Sequence, residues 1–187
     1  MEVLEAIKNR RSIRRYKTDP VDDKILELIL EAARLAPSWA NTQCWRFVVV
    51  RDSTIKDKLA GTLSTGQPDG RNPATDAIKN APVVIVACAE LGKSGGFREG
   101  KPSTDKGDWF MFDVALAMQN LVLTATSLGL GTVHVGLFDA LQAAAILGVP
   151  HGFCVVEMTP LGYPDQVRDP RPRKTLSEIV FYDKFGT

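Results

Sequence analysis

Four arginines and a serine fall within seven residues at Arg10-Arg11-Ser12-Ile13-Arg14-Arg15-Tyr16. Each guanidinium is a planar fork of donors that matches phosphate oxygens, and several forks together neutralise a dianion that one lysine would only attract. A second basic cluster, Arg168, Arg171, Arg173 and Lys174, is threaded through Pro164, Pro170 and Pro172 near the other end of the chain. Brought together, the two clusters make one anion clamp; kept apart, each is a solvated basic surface. Ser12 has no histidine close to it in sequence, so it suits a hydrogen bond to phosphate better than nucleophilic attack. Cys44, Cys88 and Cys154 lack the spacing of metal ligands and there are only two histidines, His134 and His151, so a zinc site has no donor set. His134 lies in a run that reads as a strand, where a core or interface role is expected rather than catalysis.

Other motifs fail on physical grounds. Ala87-Cys88-Ala89-Glu90-Leu91-Gly92-Lys93-Ser94 matches a relaxed nucleotide phosphate loop, with Lys93 as its cation. Such a loop works because bare backbone amides and a helix N-terminus face the phosphates, whereas here Glu90 puts negative charge in the cradle and Gly95-Gly96 follow. No G-x-G-x-x-G follows an apolar run, which disfavours a Rossmann cofactor domain, and no G-x-S-x-G elbow occurs.

The chain has 187 residues, is 44% hydrophobic and carries a formal net charge of +1. That is enough to bury a core without disulfides or metals, and residues 1–187 are expected to form one domain. With the arginine runs balanced elsewhere, the chain is not an electrostatic binder of nucleic acid. An odd number of cysteines, two of them in apolar runs, points to a reducing cytoplasm. Charged residues among Met1 to Ile7, and apolar runs too short to span a bilayer, argue against a signal peptide and a membrane protein.

The elements that must position these residues follow from periodicity. Val3, Leu4 and Ile7 predict a short helix ending at the first basic run. From Asp22 a second helix is predicted, with Ile25, Leu28, Ile29, Ala32, Leu35 and Ala36 as its apolar face and Pro37 as its end. A polar loop with two tryptophans leads into a strand at Arg46 to Val50, after which Asp52 or Ser53 caps a helix facing inward through Ile55, Leu59 and Leu63. Residues 64–73 read as a loop, Pro82 to Ala89 as a strand covered on both faces, and Leu91 to Gly107 as a long glycine-rich loop suited to a lid or binding role. Trp109 to Leu128 is a helix apolar nearly all round, to be buried in the core or against another subunit, and stopped by Gly129-Leu130-Gly131. A strand from Thr132 to Val135, a turn at Gly136-Leu137-Phe138, a helix capped by Asp139 and ended by Gly148, and a strand from Phe153 to Leu161 complete the body. Ser177 to Phe185 is too apolar to hang free and is expected to pack on a partner.

Taken in order, Arg10-Arg11-Ser12-Ile13-Arg14, Pro37-Ser38-x-x-Asn41-x-Gln43-x-Trp45-x-Phe47, the long helix closing in Gly129-Leu130-Gly131 with Gly136 after it, and Arg171-Pro172-Arg173 resemble the nitroreductase family of FMN-dependent oxidoreductases. The resemblance spans nearly the whole chain. It implies an α+β fold, a mixed sheet flanked by helices, and a homodimer with FMN at the interface and C-terminal segments wrapping the partner. It also implies that Arg10, Arg11 and Ser12 hold the phosphate and ribityl chain and that Arg171 and Arg173 close on the phosphate. Arg14 would lie near the pyrimidine side of the flavin, where fixed positive charge favours the electron-rich reduced ring. Pro37, Ser38 and Asn41 match the segment that reaches the flavin from the other subunit, and Gly136 and Leu137 match a turn whose amides approach its N5 and O4 edge. Cys44 stands where the family usually has proline, and Leu137 where it often has a second small residue. The implied activity is hydride transfer from NAD(P)H through FMN to an electron-poor small molecule such as a nitroaromatic or quinone, with Trp39 and the glycine-rich loop as candidates for the acceptor pocket. Positioning and electrostatics would do the catalytic work, without a protein acid or base in the hydride step. Flavin-dependent dehalogenation or desaturation, and a non-catalytic flavin-binding protein, are the alternatives.

Overall fold

Eight consecutive apolar or small residues bounded by turn formers make the central strand, and the rest of the fold is layered on its two faces. The computed structural model describes residues 1–63, 72–96 and 99–186. Strand β1 is Trp45–Val50, β2 is Val83–Glu90, β3 is Gly131–Thr132 and β4 is Phe153–Gly162. They form one sheet in the order β1-β2-β4-β3, every neighbouring pair antiparallel, with a register shift between Ala87 and Cys88 of β2. Among the described residues, the parallel component expected of a mixed sheet is confined to a single bridge between Ser12 and Thr132.

Alternation along β2 divides the core. Val83, Ile85, Ala87 and Ala89 face helices α2 (Asp23–Arg34) and α5 (Phe110–Ser127), whereas Val84, Val86 and Cys88 face α3 (Ser53–Gly61) and α6 (Ala140–Leu147). Two helices are short: α1 (Val3–Asn9) precedes the basic run, and α4 (Thr75–Asn80), absent from the sequence reading, leads into β2. The predicted caps at Asp52 and Asp139 form, their carboxylates accepting from the amides of Ile55 and Gln142 at 2.8 and 2.9 Å; Asp22 also caps α2, accepting from the Lys24 amide at 2.8 Å, and Gly148 ends α6 with φ 66°.

Helix α2 is rotated from its predicted face. Leu26, Ile29 and Ala33 are buried while Leu28 and Leu35 are exposed. Val3, Leu4 and Ile7 of α1 and Met111 and Phe112 of α5 are exposed as well. The predicted stripe on α2 is therefore shared between the core and an outer apolar surface. Helix α5 is long and apolar enough to cross a membrane by length and composition. Its Val114, Ala117, Met118, Leu121, Val122 and Ala125 are nevertheless buried in the sheet-facing core, as a central helix requires. After β4 the chain returns through the second basic cluster to a short helix α7 (Leu176–Ile179), and Leu176, Ile179, Tyr182 and Phe185 beyond are exposed.

The first basic run is strapped to the sheet edge. Ile13 donates its amide to the Thr132 carbonyl at 2.9 Å, Lys17 to Tyr163 at 2.9 Å, and Asp165 to Arg15 at 3.0 Å. The buried Tyr16 hydroxyl donates to the Ile13 carbonyl at 2.6 Å. Gly131 permits this approach, because a Cβ there would meet the Ile13 side chain at 2.8 Å. Gly131→Ala should therefore cost about 1–3 kcal/mol by overpacking. The expected reading is a lower urea midpoint at unchanged slope, and an unchanged midpoint would contradict the strap.

Candidate functional site

The strap and the proline-rich return bring the two basic clusters together. Arg10, Arg11, Ser12, Arg14, Arg168, Arg171 and Arg173 line one cavity of about 330 Å³, with Asp169 as the single carboxylate among its lining residues. Arg11 donates to the Lys8 and Arg10 carbonyls at 2.6 and 2.9 Å, at the end of α1, where a cation also suits the helix dipole. Among the described residues no carboxylate forms an ion pair with these arginines. Burial, then Arg173 and Arg11, hold the Arg10 guanidinium below its ordinary value, the mark of cations crowded without a counter-charge. Arg11 Nε and Arg14 Nε are buried without a hydrogen-bond partner.

Arg14 also lines a second cavity of about 160 Å³, together with Asn72, His134, Gly136 and Leu137. Asn72 had no signal in its sequence neighbourhood; it donates to the Leu137 carbonyl at 3.3 Å and accepts from the Ala74 amide at 2.9 Å, which fixes the turn. A Cβ on Gly136 would meet nothing within 4 Å, so the room beside this turn is not filled by the protein.

Pro37, Ser38 and Asn41 line neither cavity. They belong to a loop in which Ala40, Asn41 and Gln43 all adopt positive φ, at 43°, 56° and 47°, a conformation that costs each of them on the order of 1 kcal/mol. A fully buried carboxylate holds it in shape. Asp113 of α5 accepts from the Trp39 amide at 3.0 Å, the Thr42 hydroxyl at 3.5 Å, the Cys44 thiol at 3.8 Å and the Ser94 hydroxyl at 2.6 Å. Asp113 thus ties this loop to the start of the glycine-rich loop. Trp39 packs against Trp109 with tilted rings at 5.2 Å between centroids, and Trp109 meets the exposed Phe112 edge to face at 5.2 Å. A Cβ on Gly96 would come within 3.3 Å of the Trp39 indole nitrogen, so the glycine-rich loop lies against Trp39.

The nucleotide-loop reading does not survive. Lys93 pairs with Glu90 at 3.4 Å, the Gly92 amide is taken by the Asp108 carboxylate at 2.8 Å, and no helix begins within the motif. Among the described residues no cluster of His, Cys, Asp or Glu could hold a metal ion.

This arrangement of sheet, strapped basic segment and C-terminal return has counterparts among known proteins. Residues 7–163 match the model of the Nitroreductase family, and the chain belongs to that family. A relative in Archaeoglobus fulgidus, named for NADH dehydrogenase and NAD(P)H nitroreductase activity, is 34% identical over 90% of this chain and 88% of its own. An FMN reductase [NAD(P)H] of Bacillus subtilis is 32% identical over 72% of this chain and 54% of its own. The crystal structure of a nitroreductase family protein from Clostridium novyi superposes with a TM-score of 0.79 at 31% identity, covering 100% of this chain and 97% of that one.

Burial, and next to it Asp113, push the Cys44 thiol up to about 12. Cys44 should resist alkylation by iodoacetamide at pH 8 until the protein unfolds. In Asp113→Ala the loop loses its anchor, the buried donors left unpaired cost roughly 1–3 kcal/mol each, and Cys44 should label in the folded state. Equal protection in both proteins would contradict the anchoring role.

Proposed function

We propose that this chain is an FMN-dependent oxidoreductase, acting as a homodimer, that takes hydride from NAD(P)H and delivers it to an electron-poor small molecule such as a nitroaromatic or quinone. One observation carries the reading: six arginines from the two ends of the chain line one cavity with a single carboxylate among them, and two of their buried donors lack partners. A phosphate dianion supplies the charge and the acceptors that this cavity lacks. The smaller cavity, shared through Arg14 and left open beside Gly136, is placed to receive the attached ring system. When bound, FMN supplies reversible acceptance of hydride at its N5.

Within this reading residues 1–187 act as one domain. Arg10, Arg11 and Ser12 hold the phosphate and ribityl chain from one side, and Arg171 and Arg173 from the other. Arg14 offers fixed positive charge to the ring, where it favours the electron-rich state. Gly136 and Leu137 present their backbone to the ring edge. Pro37, Ser38 and Asn41, which line neither cavity of their own chain, serve the site of the second subunit. The apolar surface made by Val3, Leu4, Ile7, Leu28, Leu35 and Phe112 gives a second copy something to cover, and the exposed apolar C-terminal residues give it an arm. Trp39, backed by Trp109 and the glycine-rich loop, forms a flat aromatic wall suited to a planar acceptor. Three free cysteines suit a reducing cytoplasm. Reductive dehalogenation and desaturation on the same fold would use the same cavities with another substrate.

The test is the visible spectrum of the purified protein, before and after anaerobic addition of NADH or NADPH. The expected result is a two-banded yellow spectrum that bleaches with either nucleotide, and recovers when a nitroaromatic or quinone is added. Failure to bleach with both would overturn the oxidoreductase reading and leave a flavin-binding protein.

A further inference from the structure

The parallel bridge between Ser12 and Thr132 does more than strap the basic run. Two residues further along these segments, Arg14 and His134 line one cavity. On its other side this segment pairs with β4, for Val135 and Met158 exchange amide hydrogen bonds at 2.9 and 3.0 Å. Val133 and Val135 point into the core, so His134 points to the opposite face. There its Nδ1 lies 2.9 and 3.1 Å from the two oxygens of Glu157, and Glu157 accepts from the Thr159 hydroxyl at 3.0 Å. Two adjacent segments thus hold an imidazole against a carboxylate. Arg14 and His134 both line the smaller cavity.

Glu157 is the better sheltered partner, its side chain 16% exposed against 38% for His134. It fixes the imidazole through Nδ1, and Nε2 has no hydrogen-bond partner among the described residues. Glu157, from β4, holds His134, while Arg14, from the N-terminal segment, and the uncharged Asn72, from the segment before α4, line the same cavity. A negative charge that appears in this cavity lies beside the imidazole and favours its protonated form.

We propose that His134, held by Glu157, takes up a proton when the group bound in this cavity is reduced. This rests on the FMN reading above. Hydride transfer moves two electrons and one proton from NAD(P)H, leaves NAD(P)⁺ and adds one negative charge at the cavity. His134 then takes one proton from solvent, and releases it once the hydride has passed to the acceptor. Linkage makes the effect reciprocal. Protonated His134 favours the reduced state, so reduction is easiest below the pH at which His134 titrates and grows harder as pH rises through it. His134 is a positioning residue for charge, not the donor of the hydride.

The chain has two histidines, so His151→Gln leaves His134 as the only imidazole. Its ring protons can be followed by NMR against pH in the protein without FMN, with oxidised FMN, and with FMN reduced anaerobically by dithionite. The expected result is a titration midpoint that moves up on reduction, with proton affinity rising about tenfold or more. Glu157→Gln should move the midpoint down in all three states. A midpoint that is the same in the oxidised and reduced complexes would overturn the proposal while leaving the cofactor in place. A protein that takes up no FMN would overturn the cofactor reading, and this inference with it.

Discussion

Crowding of like charge is the constraint on which this structure turns. Arg10 sits within reach of both Arg173 and Arg11, and its burial deepens the repulsion. Left alone, such a cluster would splay into water. It is kept together because Ile13, between the arginines, and Tyr16, just after them, are buried and their segment is bonded to the sheet edge. The apolar residues of the run thus carry the stability, and the charged ones line the cavity. An anion in the cavity would relieve the repulsion and add to stability by mass action.

A second constraint shapes the loop after α2. The loop at residues 38–44 holds three non-glycine residues in the left-handed region, and one buried carboxylate accounts for its persistence. Because Asp113 also binds Ser94, the shape of this loop and the start of the glycine-rich loop are not independent. Trp39 stands between them. The loop and the aromatic pair beside it are therefore set by one helix.

Much of this was legible in the sequence, for reasons that separate what local pattern encodes from what it does not. The strand at Val83, the helix at Phe110 and the aspartate caps follow from periodicity and local hydrogen bonding, and the structure bears them out. The arginine runs were conspicuous because they are concentrated. Asp113 was not, because a lone acid near a helix start reads as a dipole partner; its donors lie 19 to 74 residues away. His134 and Glu157 are 23 residues apart, and only the antiparallel pairing across Val135 and Met158 makes them neighbours. The rotation of α2 was hidden too, since Leu28 and Leu35 are as apolar as Leu26. Periodicity marks a face as apolar without saying whether its own core or another chain covers it.

The claim at the centre is that the two arginine clusters clamp a phosphate. The direct measurement is an equilibrium titration of the flavin-free protein with FMN and with riboflavin, which has the same ring system and no phosphate. Several charge-assisted hydrogen bonds to the dianion predict tighter binding of FMN by about 100-fold or more. That preference should shrink in Arg173→Ala and as salt rises. Equal affinities for the two flavins would contradict the clamp.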